Sequence, residues 1–421
     1  MKKRRRIGKT SQRKIEQLRI CVEEDVERRV HRSIDDVILI HNALPEIYEE
    51  DIDMRVNFLG FSFRYPLMIA SMTGGHPETK VINRILASAA ERMGIGIGVG
   101  SQRAALEDAR NEDSFSVVRD YAPHAFVYAN IGVVQIRDLG VEVAERVVEM
   151  VDADALAVHL NFLQEAVQPE GELDGRGCLA VIREVCESLK KPVIVKETGG
   201  GISYEVARKL HNAGVHAIDV GGNDGTNLVI AEMCRAEGDR MLEKLGSTFM
   251  DWGISTIESI LECKNMPVKI IATGGIRSGL DIAKCIAVGA DICSAAQPFL
   301  KAIFDSADTH PHDASDMRDM MRDEDMSGRD MSERDMHVND INTIAEGAGK
   351  RSERRIDMSA LKSEEIIEEA VDRVCERVRE IVMQLKIAMF LTGCTTVEHL
   401  KRAEFVIIGR TREIAEQRGF R

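Results

Sequence analysis

The sequence predicts an α/β fold, a parallel eight-stranded β/α barrel with extra segments before and after it. Three observations predict it. Short β-prone apolar runs recur eight times, helical stretches separate them, and glycine or polar residues stand where nearly every run ends. The runs are Leu67 to Ser71, Ile95 to Val99, Phe126 to Asn130, Ala155 to His159, Val193 to Glu197, His216 to Val220, Lys269 to Thr273 and Asp291 to Ala295. Most are entered from a turn signal such as Tyr65-Pro66 or Lys191-Pro192. Between them, Ile82, Ile85, Leu86, Ala89 and Met93 fall on one stripe of a helix, and Ser203 suits the N-cap of a helix over Tyr204 to Asn212. Strands alternating with helices give a parallel sheet, and eight such strands close it. A doubly wound open sheet would gather its special residues at one crevice. Here they are spread over the ends of nearly all eight runs, which favours the closed TIM (β/α)8 barrel.

Residues 1–60 precede the barrel as an N-terminal arm and cap, with Ile38 to Pro45 and Asp51 to Asn57 expected as a hairpin or cap over one end. The barrel itself occupies 61–304. Residues 305–360 are highly charged, poor in aromatics and repeat Arg-Asp-Met steps, so a disordered insertion after strand eight is expected. Its position leaves a mobile lid as a second reading, and His310 and His312 within it read as solvated rather than as metal ligands. A C-terminal barrel helix over Ile366 to Phe390 and a tail fill 361–421.

The net charge of −14 argues against general nucleic-acid binding, which needs surplus Lys and Arg. Only the opening MKKRRR is basic, and it reads as a solvated terminus. Nine scattered cysteines without a C-x-x-C pair indicate reduced thiols and no zinc site. No stretch is long and apolar enough to span a bilayer, and none resembles a signal-peptide core, so a cytoplasmic protein is expected.

In a barrel of this kind the carboxyl ends of the strands meet on one face, where the loops build the site. Strand seven ends in Thr273-Gly274-Gly275-Ile276-Arg277 and strand eight in Ala295-Ala296. Glycine lets backbone N–H groups approach an anion closely, so these turns read as the phosphate cradle of a flavin mononucleotide or a similar ligand. Lys196 ends an apolar strand, where its charge calls for an anion or an electron-rich ring. His159 and Asn161, two apart, share a strand face. Glu165 is a hard oxygen ligand suited to Mg²⁺ beside a diphosphate. Arg103 and the pair Arg13-Lys14 are cations suited to substrate phosphates.

The whole set resembles the type 2 isopentenyl-diphosphate isomerases. The matching stretches are Arg13-Lys14, IHNALPEI (40–47), ASMTGG (70–75), GVGSQRAALE (98–107), ANIG (129–132), ADALAVHLN (153–161), QEAVQPEG (164–171), PVIVKETGGGIS (192–203), DWGIST (251–256), TGGIRSGLDIAKCIAVGAD (273–291) and MFLTG (389–393). The resemblance implies an FMN enzyme that interconverts isopentenyl and dimethylallyl diphosphates, uses Mg²⁺, takes NADPH as flavin reductant and assembles as a tetramer or octamer. Carried over by position, Ser71, Met72, Thr73, Ser101, Asn130, Lys196, Thr226, Gly275, Ile276, Arg277, Ala295 and Ala296 would bind FMN. Arg13, Lys14, Ser101, Gln102, Arg103 and Gln164 would bind substrate. His159, Asn161 and Gln164 would be catalytic, and Glu165 would bind the metal.

Moving a double bond by one carbon delivers one proton and removes another, with no net oxidation. An unactivated alkene is a poor base, so the acid must be held in contact with it and water excluded. The nearest enzyme alternative is an FMN-dependent 2-hydroxyacid oxidase, which needs a histidine base and arginines for a carboxylate rather than a Gln-Glu pair. A barrel that binds flavin or phosphate without catalysis is the other. Two departures bear on these readings, the 305–360 insertion, which is unusual for the family, and the loop after strand six. The family usually reads S-G-x-G-G-T-x-W after strand six, whereas this chain has Gly221-Gly222-Asn223-Asp224-Gly225-Thr226-Asn227. Asp224 has to point away from a flavin phosphate to be tolerated there.

Overall fold

The computed structural model describes residues 9–24, 26, 31–168, 171, 173–236, 238–305 and 360–420. The basic arm, Pro169, Glu170 and all but the two end residues of the expected insertion, His310 and His312 included, lie outside the described residues. Eight parallel strands close into a barrel in sequence order. They are Leu67–Ile69, Gly96–Gly98, Val127–Gly132, Ala155–Leu160, Val193–Glu197, Ala217–Asp219, Lys269–Thr273 and Ile292–Ala295. Strand eight closes on strand one through Cys293 with Leu67, Ser294 with Met68 and Ala295 with Ile69. The strands are buried on both faces, as expected for a parallel barrel under helices, so they read as apolar runs rather than as alternating patterns. Strands one, two and six are only three residues long, and the remaining residues of those apolar runs form the first turns of the rim loops.

The barrel interior is filled at its amino end by Met68, Phe126, Ala155, Ala157, Ile194, Ala217, Ile271 and Ile292. A hairpin, Val56–Phe58 paired with Phe61–Phe63, plugs that end. It sits later than the expected Asp51 to Asn57. Its two-residue turn, Leu59-Gly60, has positive φ at both positions (51° and 82°), the geometry that matches the twist of a hairpin. Phe58 and Phe63 are fully buried, and the Phe63 and Phe126 rings meet at 5.3 Å between centroids. Midway up the barrel lies Tyr128, whose ring would collide with any Cβ at Gly98. That is the reason strand two is built on glycine.

The helices anticipated from periodicity are present. Ile82 to Met93 lies within Thr79–Met93, and Tyr204–Asn212 is capped by the Ser203 hydroxyl, which accepts from Val206 N. The long helix Glu364–Leu391 packs on Thr79–Met93, Gly279–Val288 and Gln297–Phe304. Arg373 donates from it to the carbonyls of Ala302 and Ile303, at 3.2 and 2.8 Å, which ties it to the end of the helix after strand eight. The tail then returns: Phe405–Ile407 pairs antiparallel with Val37–Leu39, so both ends of the chain are stitched together outside the barrel.

Candidate active site

At the carboxyl end of the strands one cavity collects almost every residue singled out in the sequence. Ser71, Met72, Ser101, Asn130, Lys196, Thr226, Gly275, Ile276, Arg277, Ala295 and Ala296 line it, as do Arg13, Lys14, Arg103, His159, Asn161, Gln164 and Glu165. Two lie behind its wall. Gln102 is fully buried, and its amide is committed to scaffolding: Nε2 donates to Val147 O (2.8 Å) and Oε1 accepts from Asn130 N (2.9 Å). Thr73 presents its carbonyl to Gly100 N at 2.8 Å, which fixes the loop of strand two against that of strand one.

The cavity is roofed by the N-terminal helix Lys9–Glu23, whose Ile15 and Leu18 are buried and whose Arg13, Lys14 and Gln17 turn to the cavity. Arg13 reaches Gln168 Oε1 at 3.4 Å. Burial, with Arg13 and Arg103 nearby, lowers the Lys14 pKa from 10.5 to about 8. Three cations converge here, with Arg103 held by Glu107 through Nε at 2.8 Å, and together they make a receptor for a multiply charged anion.

His159 is 8% exposed and its Nδ1 lies 3.0 Å from Asn130 Oδ1. Asn130 spends its Nδ2 on Val99 O (3.2 Å), so its oxygen faces the imidazole and His159 carries its proton on Nδ1. Burial, reinforced by the charges of Lys196, Lys14 and Arg13, lowers the His159 pKa to about 3. A neutral imidazole with a free Nε2 lone pair is therefore what the site presents. Beside it, Asn161 Nδ2 donates to Glu165 Oε1 at 3.0 Å, which aims the carboxylate over the cavity mouth.

One residue of the site carried no sequence signal. Glu232, on helix Leu228–Arg235, is 1% exposed, and its Oε1 accepts from Gln164 Nε2 (2.9 Å) and from Gln17 Nε2 (2.6 Å). Arg235, one turn on, pairs with its other oxygen. Glu232 looks in sequence like any acid on an amphipathic helix, and only the fold brings it beneath Gln164. Glu197, which ends strand five, is a further acid on the cavity. Its Oε2 accepts from the backbone N–H groups of Thr198 (2.6 Å), Gly199 (2.8 Å) and Gly200, yet burial dominates and raises its pKa to about 7.

The loops after strands six and seven interlock, because a Cβ at Gly225 would lie 2.7 Å from Gly275 N and one at Gly275 would lie 2.7 Å from Asp224 O. Asp224 is fully buried and points away from the cavity. It accepts from Ser33 N (3.2 Å), from the Ser33 hydroxyl and from Thr256 N (3.0 Å). Its charge thus ties the N-terminal segment to the barrel. The helix after strand seven caps itself with Ser278 and Asp281, which leaves the backbone of Gly274 to Ile276 and of Ala295 to Gln297 as the surface for a phosphate. Deeper in, the hydroxyls of Ser71, Thr273 and Ser294 are buried without a hydrogen-bond partner among the described residues. Such groups ask for a polar ligand. A flat, heteroatom-rich ring ending in a phosphate fits this donor set.

Residues 19–324 match the family of FMN-dependent dehydrogenases. The chain is 54% identical over 415 residues to the isopentenyl-diphosphate delta-isomerase of Methanococcoides burtonii, covering 98% of this chain and 96% of that one. It is 46% identical over 417 residues to the protein of that name from Methanosarcina mazei, with the same coverage. The chain belongs to the isopentenyl-diphosphate delta-isomerase family. Among solved structures, a putative lactate oxidase from Pediococcus acidilactici superposes with a TM-score of 0.54 at 15% identity, over 94% of this chain and 87% of that one. At that identity the likeness concerns the barrel alone. In this chain Thr226 stays on the cavity and Asp224 serves as a strut.

Proposed function

We propose that the protein interconverts isopentenyl diphosphate and dimethylallyl diphosphate on reduced FMN, with Mg²⁺ on the substrate's diphosphate. The observation that carries this reading is the meeting, in one cavity, of a cationic cluster for a diphosphate and a buried polar floor for a flavin. When bound, reduced FMN supplies an electron-rich ring and a proton-bearing N5 next to the alkene.

The chain's residues do the rest. Arg13, Lys14, Ser101 and Arg103 bind the diphosphate, and Glu165 holds Mg²⁺ together with diphosphate oxygens. Among the described residues no group of three His, Cys, Asp or Glu surrounds a metal. A single carboxylate suits an ion held mostly by its substrate. His159 Nε2 and the Asn161 amide orient the polar end of the substrate. Gln164 is clamped by Glu232 through Nε2, so its carbonyl is turned toward the alkene, where a proton leaves the carbon next to C1. Leu18 and Leu228 at the mouth exclude water that would trap a cationic carbon.

The test is anaerobic turnover of isopentenyl diphosphate in D₂O with reduced flavin. Deuterium in dimethylallyl diphosphate without net oxidation supports the reading. Oxidation of a 2-hydroxy acid with oxygen, and no isomerisation, would replace it by the oxidase alternative.

NADPH as reductant and a tetramer or octamer belong to the same reading and rest on the family resemblance, while a cytoplasmic location rests on the scattered cysteines and the apolar pattern of the sequence. Among the described residues no helix is long and apolar enough to cross a membrane. Ile38 and its strand partner Val406, with Ile40 and Ile408, form an exposed apolar face that a second copy would cover.

A further inference from the structure

Strand six carries a carboxyl group that the chemistry above leaves unused. Asp219 ends Ala217–Asp219 and stands beside Lys196 of strand five in register. Ala217, two residues earlier, packs inside the barrel with Ile194 and Ile271, so Asp219 also points inward. It is 1% exposed. Its Oδ1 accepts from Gly221 N at 3.3 Å. The groups that face it come from several strands: Lys196 from strand five, the Tyr128 hydroxyl from strand three and the Thr273 hydroxyl from strand seven. Ser71 and Ser294 stand next to Tyr128, and His159 stands next to Lys196 on strand four.

Lys196, Thr273, Ser71 and Ser294 are also the floor of the cavity. Asp219 therefore lies one layer below the place a flavin ring would occupy. Among the described residues it forms no ion pair with Lys196, whose Nζ donates instead to Glu197 O at 3.0 Å. Two influences oppose each other at this carboxyl. Burial favours the neutral acid, and the Lys196 ammonium favours the carboxylate, with burial the larger. A group so placed responds to a charge that appears one layer above it.

We propose that Asp219 is a positioning residue that sets the charge beneath the flavin through Lys196, ionised under the oxidised ring and protonated under the reduced one. The inference rests on FMN occupying the cavity. Two electrons and one proton at N5, delivered together as hydride or as dithionite electrons with a proton from solvent, would leave the reduced ring with one negative charge. A second proton then passes from solvent to the Asp219 carboxylate, so ring, Lys196 and Asp219 keep the same total charge. A buried site disfavours any other total.

The test is the pH dependence of the midpoint potential of the FMN-loaded protein, which needs no isoprenoid substrate. The wild type is expected to take up two protons per two electrons near neutral pH, and Asp219→Asn and Lys196→Met one. A two-proton slope retained in Asp219→Asn would place the second proton on the ring and overturn the proposal. If Asp219→Asn does not fold, infrared difference spectra of the wild type decide. Reduction should create a protonated-carboxyl band that shifts in D₂O and survives in Glu197→Gln; no such band overturns the proposal. Failure of FMN to bind would instead sink the functional reading itself.

Discussion

Glu232 Oε1 lies 2.9 Å from Gln164 Nε2 and 2.6 Å from Gln17 Nε2, so one buried carboxylate fixes both a cavity amide and the helix that roofs the cavity. Glu232→Gln keeps the volume but leaves a single acceptor oxygen to serve Gln164, Gln17 and Arg235. Turnover is expected to fall on the order of a hundredfold, the scale of a positioned proton-transfer group, with a smaller change in KM. Steady-state kinetics at saturating Mg²⁺ checks it. A change confined to KM would limit Glu232 to holding the roof.

Lys14 gives the site a pH dependence with a definite sign. Its pKa, lowered to about 8 chiefly by burial, means the ammonium dominates below that pH and is lost as pH rises through it. Affinity for the diphosphate is therefore expected to fall above about pH 8, with proton uptake on binding. Lys14→Arg should flatten the fall, since guanidinium stays charged. Calorimetric titration with isopentenyl diphosphate in buffers of different ionisation heat measures both.

Glu165 is expected to act on the metal and not on the flavin. Glu165→Gln should lower turnover and raise the Mg²⁺ concentration needed for half activity, while the flavin spectrum stays unchanged. Full rate at limiting Mg²⁺ would remove the metal assignment.

Asp224 is expected to be a matter of stability. Asp224→Gly gives the glycine that the family resemblance leads one to expect here but leaves Ser33 and Thr256 without their buried acceptor. Losing hydrogen bonds to a buried charge costs about 2–3 kcal/mol. Denaturant unfolding should show that loss, and fluorescence titration should show no gain in FMN affinity.

How much was legible in the sequence follows from these particulars. Strand positions were legible because parallel barrel strands are apolar on both faces and end abruptly, as Val193–Glu197 does at Lys196. The cavity residues were legible because they cluster at those ends. The hairpin was misplaced because its turn puts Leu59, not the usual Asn or Asp, at positive φ. The pairing of Val37–Leu39 with Phe405–Ile407 joins segments far apart in the chain, and no local pattern encodes that. Gln102 was legible as a residue of the matching stretch, but not the direction of its amide. Glu232 and Asp219 sit on elements whose periodicity is ordinary, and only barrel closure gives them their neighbours.

The most direct measurement is an anaerobic single-omission assay with isopentenyl diphosphate, FMN, Mg²⁺ and NADPH. Dimethylallyl diphosphate is expected from the complete mixture, almost none without FMN or Mg²⁺, and dithionite should replace NADPH. Equal turnover with the flavin oxidised or absent would contradict this expectation.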